Sequence, residues 1–507
     1  MTNLGSRINS WDDLWALRGR AIHVVGAGSV EGAHLLLFLL DHGFTNLTGH
    51  DFSPDPQFDR AFKRVHVGWP MAEREAMLAR LRGGVRLHFR DNYLEGIEDA
   101  DAIAVTQGWY LYESNRPLLE SELLQQRFFS LTQLYLALAP GPVLGVTGSQ
   151  GKSTTTRLLG DILGAAGVPL LSAGNDRHGR QALEALETAG RETRLLLEIS
   201  NRHLKMLERS PSVAVVTNVY PNHLEEHGGW DGYVRAKQGL VRYQHPGDIA
   251  VLNADLEVTR DMRDLTPAEV FWFGDSAGPQ LRGGGGVALM GEEMVAFGSL
   301  APWRLPVDAL AVPGRHNAVN AAAAITAALA TGVDPAAIER AVRAFRGLKH
   351  RIQFIWESDG VRFYDDLNST TPTATAAALR TLGADVVWIF GGDDKGLDSS
   401  ELAGAAADTV KVALALPGPG TDAIATELRS RGVEVEAGDD LAGAVIRAVK
   451  LARPGDRVLL SPACPGFFTR YYVGTDEDTG FKKLVREATL RPGAARATSP
   501  PARTPRK

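Results

Sequence analysis

Residues 143–153, VLGVTGSQGKS, constrain this chain more than any other stretch. An apolar strand runs into two glycines, a lysine and a hydroxyl, with a helix-forming sequence directly behind. Glycines let the backbone approach an anion, and the amides that open the helix point at it. Gly148, Ser149, Gln150, Gly151, Lys152, Ser153 and Thr154 are therefore expected to cradle the phosphates of ATP, with Lys152 on the β and γ phosphates. The strict spacing of such loops would put the first glycine at position 146, which is Val146, so this is a shortened variant. The plainer reading is a glycine turn with a surface lysine. Two further strands end in reactive polar groups, LLLEIS at 195–200 and VAVVTNVYPNH at 213–223. A parallel sheet gathers its functional groups where its strands end, so the three segments are expected to converge.

A nucleotide triphosphate brings a metal, and magnesium favours a hydroxyl, a carboxylate and phosphate oxygens. Ser153 offers the hydroxyl. Glu198 closes a run of three leucines, where an uncompensated carboxylate would be costly, and it is the best protein carboxylate for the ion. His223 would bind a second magnesium or steady a phosphate; alone, it reads as structural. Lys237 follows on an expected helix, and since an ammonium group cannot ligate a metal, its own residue type reads as a surface lysine.

The 507 residues imply about three domains. A formal net charge of −6 gives no broad basic surface, which argues against nucleic acid as a partner. Cys464 is the single cysteine, so no internal disulfide forms and a cytoplasmic location is expected. No export signal or membrane-length apolar run is visible. Strand and helix segments alternate throughout, which predicts an α/β protein. The expected boundaries are a Rossmann-like domain at 1–112, a central P-loop ATPase-type parallel-sheet domain at 113–346 and a Rossmann-like C-terminal domain at 347–490. A basic Pro-, Ser- and Thr-rich tail at 491–507 cannot bury a core and is expected to be disordered. The glycine run 283–286 suggests an irregular insertion or a small extra sheet.

TGSQGKSTTT, LEISNRHL, TNVYPNHLEEHGGWDGYVRAK, GRHNAVNAAAA, GLKHRIQF, DDLNSTTPTAT, GGDDKGLD and LLSPACP occur in this order. Together they resemble the Mur ligase family, ATP-dependent amide-forming enzymes that build the peptide of bacterial cell-wall precursors. GGDDKG, SPAC and the glycine-rich N-terminal unit are most similar to the glutamate-adding members. The resemblance implies a monomer whose substrates are UDP-N-acetylmuramoyl-L-alanine, glutamate (the D form foremost) and ATP, with two magnesium ions. It implies that Lys237 is carbamoylated, and a carbamate, being anionic, can bind the second ion.

It also implies that Asn317 and Asn320 face adenine, that Arg351 reaches the γ phosphate and that Asp366 holds the ribose. Asn175 would line the central site. Gly26 and Gly28 would approach the UDP diphosphate and Asp51 would lie near uracil or ribose; GAGSVEG followed by an acid suggests a dinucleotide loop when taken alone, but its third glycine comes one residue later than that fingerprint demands. Thr370 and Lys395 would hold glutamate. The sequence departs from the family at Asn368 and Gly466, where the glutamate-adding members carry lysine and serine. It departs again at Asn201 and His203, where serine and glutamine are usual. An L-glutamate-adding relative, a folylpolyglutamate-type ligase and a nucleotide-binding regulator without chemistry remain the alternatives.

Overall fold

The computed structural model describes residues 3–66, 68–175, 182–222, 224–278, 280–394, 396–471 and 480–490. Among these residues, short runs rich in valine, isoleucine and leucine form twenty strands, grouped in three sheets. The first sheet holds β1 (Ile22–Val25), β2 (Leu47–His50), β3 (Arg86–His88), β4 (Ala102–Val105) and β5 (Phe128–Phe129), in the order 3-2-1-4-5 and all parallel. Strand order reverses between β1 and β4, which opens a crevice beyond their carboxyl ends.

The second sheet is built around β6 (Val143–Thr147). It continues with β7 (Leu170–Gly174), β8 (Arg194–Glu198), β9 (Val213–Val216), β10 (Ile249–Asn253), β11 (Glu269–Gly274), β12 (Gly285–Met290), β13 (Glu293–Gly298) and β14 (Arg304–Pro306). Its order is 14-13-12-11-10-9-6-8-7. The strands from β6 to β12 are parallel, and the last two are antiparallel. The expected irregular insertion is thus corrected: β11 to β14 extend the same sheet. The glycines at 283–286 let chains pass closely, with β12 at Gly286 paired to Phe297 and Trp272. One continuous apolar core joins the first two sheets, from Val24, Phe38 and Ala104 to Leu195, Leu197 and Val216.

The third sheet holds β15 (Gln353–Ser358), β16 (Val361–Asp365), β17 (Val386–Gly391), β18 (Val410–Ala415), β19 (Val435–Ala437) and β20 (Arg457–Ala463), in the order 15-16-20-17-18-19. Among the described residues of this sheet, only the β15–β16 pair is antiparallel. Separate apolar clusters cover its two faces. The chain divides into two compact units, Met1–Val307 with Ala318–Val342, and Asp308–Asn317 with Arg343–Lys507. The first unit contains both of the first two sheets. No helix among the described residues is long and apolar enough to cross a membrane.

Candidate active site

Strand β6 delivers the phosphate loop to the middle of the second sheet, between β8 and β9. Gly151, at φ +79°, caps the Lys152–Ala165 helix, and a Cβ there would fall 2.1 Å from Asn320 Oδ1. Gly148 is equally obligatory, since its Cβ would overlap Thr217 Oγ1. The segment after β9 holds the loop in shape. Asn218 Oδ1 accepts from Gln150 N at 2.8 Å, Thr217 Oγ1 donates to Gln150 O at 2.6 Å, and Ser149 Oγ meets Tyr233 OH at 2.8 Å. Lys152 folds back over the loop and donates to Gly148 O at 2.9 Å and Ser149 O at 3.2 Å. Thr147, Thr217, Asn218 and Tyr233 were not singled out as site residues. The polar TN pair directly after β9 was the available signal.

Glu198 ends β8 in register with Val146 of β6, and Asn175 binds it directly, Nδ2 donating to Oε1 at 3.0 Å. Lys237, on the Trp230–Arg242 helix, is completely buried. The surface-lysine reading of its residue type is therefore corrected. Its Nζ donates to Thr147 Oγ1 at 3.0 Å and to Gly148 O at 2.9 Å, which places it beneath the phosphate loop. Burial pushes its pKa well below the usual value, the Lys152 charge pushes it further, and Glu198 opposes both. Among the described residues no three His, Cys, Asp or Glu side chains converge as a metal cage. A single carboxylate and the Ser153 hydroxyl suit magnesium that completes its shell with phosphates. His223 lies outside the described residues.

The first sheet carries a second glycine loop, at the carboxyl end of β1. Asp51, buried at the end of β2, accepts from Gly28 N at 3.0 Å and from Ser53 N at 2.9 Å. A Cβ on Gly28 would lie 2.6 Å from Asp51 Oδ2, and one on Gly26 2.4 Å from Thr106 Oγ1. Asp51 thus shapes the loop. Beside it the Phe52 and Tyr112 rings, 4.6 Å apart, are both exposed. Sequence reading missed this aromatic pair because its members come from distant strand ends.

In the second unit, Arg351 is exposed between two residues of left-handed backbone, His350 at φ +57° and Ile352 at φ +42°. His350 Nδ1 lies 3.0 Å from Asp365 Oδ2. Asp366, expected at the ribose, is buried, with Oδ1 accepting from Ile352 N at 3.1 Å and Oδ2 from Ser461 Oγ at 2.8 Å. Burial raises its pKa to about 6. Asp366 therefore braces the turn that presents Arg351. Thr370 is half-buried, Asn368 is exposed, and Lys395 lies outside the described residues. A side chain at Gly466 would meet Asp393 Oδ2 at 2.1 Å, so Asp393, which also pairs with Arg470, fills the volume of the family serine. Asn317 donates to Pro313 O at 2.7 Å, one helical turn before Asn320.

Two family models match the chain, the Mur ligase middle domain over residues 146–328 and the Mur ligase glutamate ligase domain over residues 350–464. The UDP-N-acetylmuramoylalanine--D-glutamate ligase of Symbiobacterium thermophilum is 39% identical over 82% of this chain and 90% of its own. That of Pelotomaculum thermopropionicum is 33% identical over 88% and 93%. Among solved structures, the UDP-N-acetylmuramate-alanine ligase of Thermotoga maritima matches with a TM-score of 0.53 at 19% identity, covering 92% of this chain and all of that one, a likeness of fold.

Proposed function

The chain belongs to the Mur ligase family, and on that premise we propose that it joins D-glutamate to the alanyl carboxylate of UDP-N-acetylmuramoyl-L-alanine at the expense of ATP. The observation that carries this reading is the packing of Lys237 beneath the Gly148–Lys152 loop, within electrostatic reach of Glu198, in a chain 39% identical to a D-glutamate ligase. A carboxylate is a poor acyl donor. Its oxygen attacks the γ phosphorus and ADP departs, giving an acyl phosphate; the glutamate amine then attacks the carbonyl carbon, phosphate leaves with that oxygen, and the amine loses a proton.

The loop amides and Lys152 hold the phosphates and offset the charge that gathers on them. Arg351 adds a cation at the γ phosphate. Asn317 and Asn320 serve adenine, and Asp366 the ribose. Ser153, Glu198, His223 and a carbamoylated Lys237 would hold two magnesium ions, which supply charge neutralisation to the phosphates. Lys237 suits carbamoylation because burial favours its neutral amine, the form that adds to carbon dioxide with loss of a proton. Gly26, Gly28 and Asp51 receive the UDP moiety, with Phe52 and Tyr112 as a stacking surface for the base. Thr370 and Lys395 hold glutamate. The enzyme acts as a cytoplasmic monomer on small molecules, without nucleic acid or membrane.

Asn368 and Gly466 lack the lysine and serine expected to hold the glutamate carboxylates, and the Ser369–Pro372 STTP segment also occurs in relatives that add L-glutamate, so the L form is the second reading. Phosphate release with UDP-N-acetylmuramoyl-L-alanine, ATP and each glutamate enantiomer decides: release with the D form alone is expected, and equal or greater release with the L form would overturn the assignment.

A further inference from the structure

Two buried polar side chains that no step above uses meet between the first two sheets. Glu31 lies in the first turn of the Val30–Asp41 helix, directly behind the Gly26–Gly28 loop. His203 lies on the short Asn201–Leu204 helix that follows Glu198. Glu31 Oε1 and His203 Nε2 are 2.7 Å apart, with side chains only 11% and 3% exposed. The other Glu31 oxygen accepts from Gln107 N at 2.8 Å, beyond the end of β4, and the Gln107 side chain accepts from Ser200 Oγ at 3.3 Å.

The hydrogen bonds fix the histidine tautomer. Ser200 N donates to His203 Nδ1 at 3.1 Å, so Nδ1 keeps its lone pair and Nε2 carries the hydrogen toward Glu31. His203 thereby closes a capping box with Ser200, the N-cap of its helix. A glutamine would make the same two contacts, its oxygen accepting from Ser200 N and its amide donating to Glu31. The departure from the family glutamine therefore preserves the bonding pattern. An isolated buried carboxylate is costly, so Glu31 follows its partners and they follow it. The route ends at catalytic groups: Ser200 is two residues beyond Glu198, and Ile199 O between them accepts from Thr147 Oγ1 of the phosphate-loop strand at 2.6 Å.

We propose that Glu31 and His203 form a positioning pair that couples the UDP-sugar loop to the strand end bearing Glu198, so that UDP-sugar and magnesium-ATP each tighten the binding of the other. The inference rests on the assignment of the two loops made above. Coupling of this kind is reciprocal and belongs to the pair of sites.

The test is calorimetric and needs no turnover. The affinity of the full chain for UDP-N-acetylmuramoyl-L-alanine is measured with and without magnesium and a non-hydrolysable ATP analogue. In the unmodified protein the analogue is expected to tighten binding about tenfold. His203→Leu, which keeps volume and removes both hydrogen bonds, should reduce that factor to less than about twofold, while His203→Gln should retain it. Glu31→Gln, a second variant should His203→Leu fail to fold, should also reduce the factor, and combining it with His203→Leu should lower it no further. A factor unchanged in His203→Leu and Glu31→Gln, one lost equally in His203→Gln, or none in the unmodified protein would overturn the coupling. Failure of the unmodified protein to bind the UDP-sugar under either condition would instead overturn the assignment of function.

Discussion

The two glycine loops of the first unit share one local plan and differ in charge. Both follow a central strand flanked by parallel neighbours and open a helix. Around the loop of the first sheet the groups closest to the backbone include two acids: Asp51 accepts from its Gly28 amide, and Glu31 sits in the helix behind it. Around the loop of the second sheet they include two lysines, with Lys152 over the carbonyls and Lys237 below them. A triphosphate needs cations at its loop, whereas the less charged diphosphate of a UDP-sugar can be met by loop amides, leaving a carboxylate for hydroxyl and base N–H groups. On the proposed function, the same backbone device serves two ligands according to the side chains placed behind it.

The largest effect should come from removing the cation of the second loop. Lys152→Ala is expected to lower ATP-dependent phosphate release by about 10²–10³-fold while leaving the dissociation constant for UDP within about twofold of its original value. Loss of both activities together would break the division of labour between the loops. Lys237→Ala should cost about 10²-fold or more in kcat, not restored by added bicarbonate, and carbon-13 bicarbonate should give a carbamate signal in the unmodified protein that the variant lacks. Full activity in the variant would remove the carbamate.

A smaller effect is expected at the first loop. Gly28→Ala places a methyl group against Asp51 and Phe58 and should weaken UDP binding about tenfold, with ATP binding unchanged. Equilibrium dialysis with each nucleotide separates the two outcomes. Acid should also act first on this sheet. His23 Nδ1 and His50 Nε2 are 2.9 Å apart and buried, and burial lowers their pKa values to about 4 and about 3. His88 and Arg86 reinforce this at His23, while Asp99 and Glu98 oppose it. A histidine that resists protonation when folded contributes stability above the ordinary value of 6.5, and that contribution is lost as pH falls from there toward 4. Hydrogen exchange in β1 and β2 should therefore accelerate over this range before it does in β6 and β9. Smallest of all, Cys464, buried and with its pKa raised to about 11, should react with iodoacetamide at pH 7 only slowly and without early loss of activity.

The elements nearest the chemistry were the easiest to read. Strand, glycines, lysine and helix at 143–165 are a local pattern, and local patterns survive in sequence. So was the alternation of the third sheet, although its short edge strand β19 and the β15–β16 hairpin were not distinguished. The glycine run at 283–286 misled because its glycines serve neighbouring strands, a relation between residues far apart in the chain. Lys237 shows the same limit from the other side. Nothing in its residue type reveals that it lies completely buried under a loop some ninety positions earlier; only the family resemblance pointed there. Asp366 too entered only through the family resemblance, and its bonds to Ile352 and Ser461 give it a bracing role at the Arg351 turn.

The central claim is that the phosphate loop serves to activate a carboxylate, and oxygen transfer tests it most directly. With UDP-N-acetylmuramoyl-L-alanine labelled with oxygen-18 in both oxygens of its terminal carboxylate, D-glutamate and ATP, the account predicts inorganic phosphate carrying one labelled oxygen. Phosphate released in step with amide formation but free of label would contradict it.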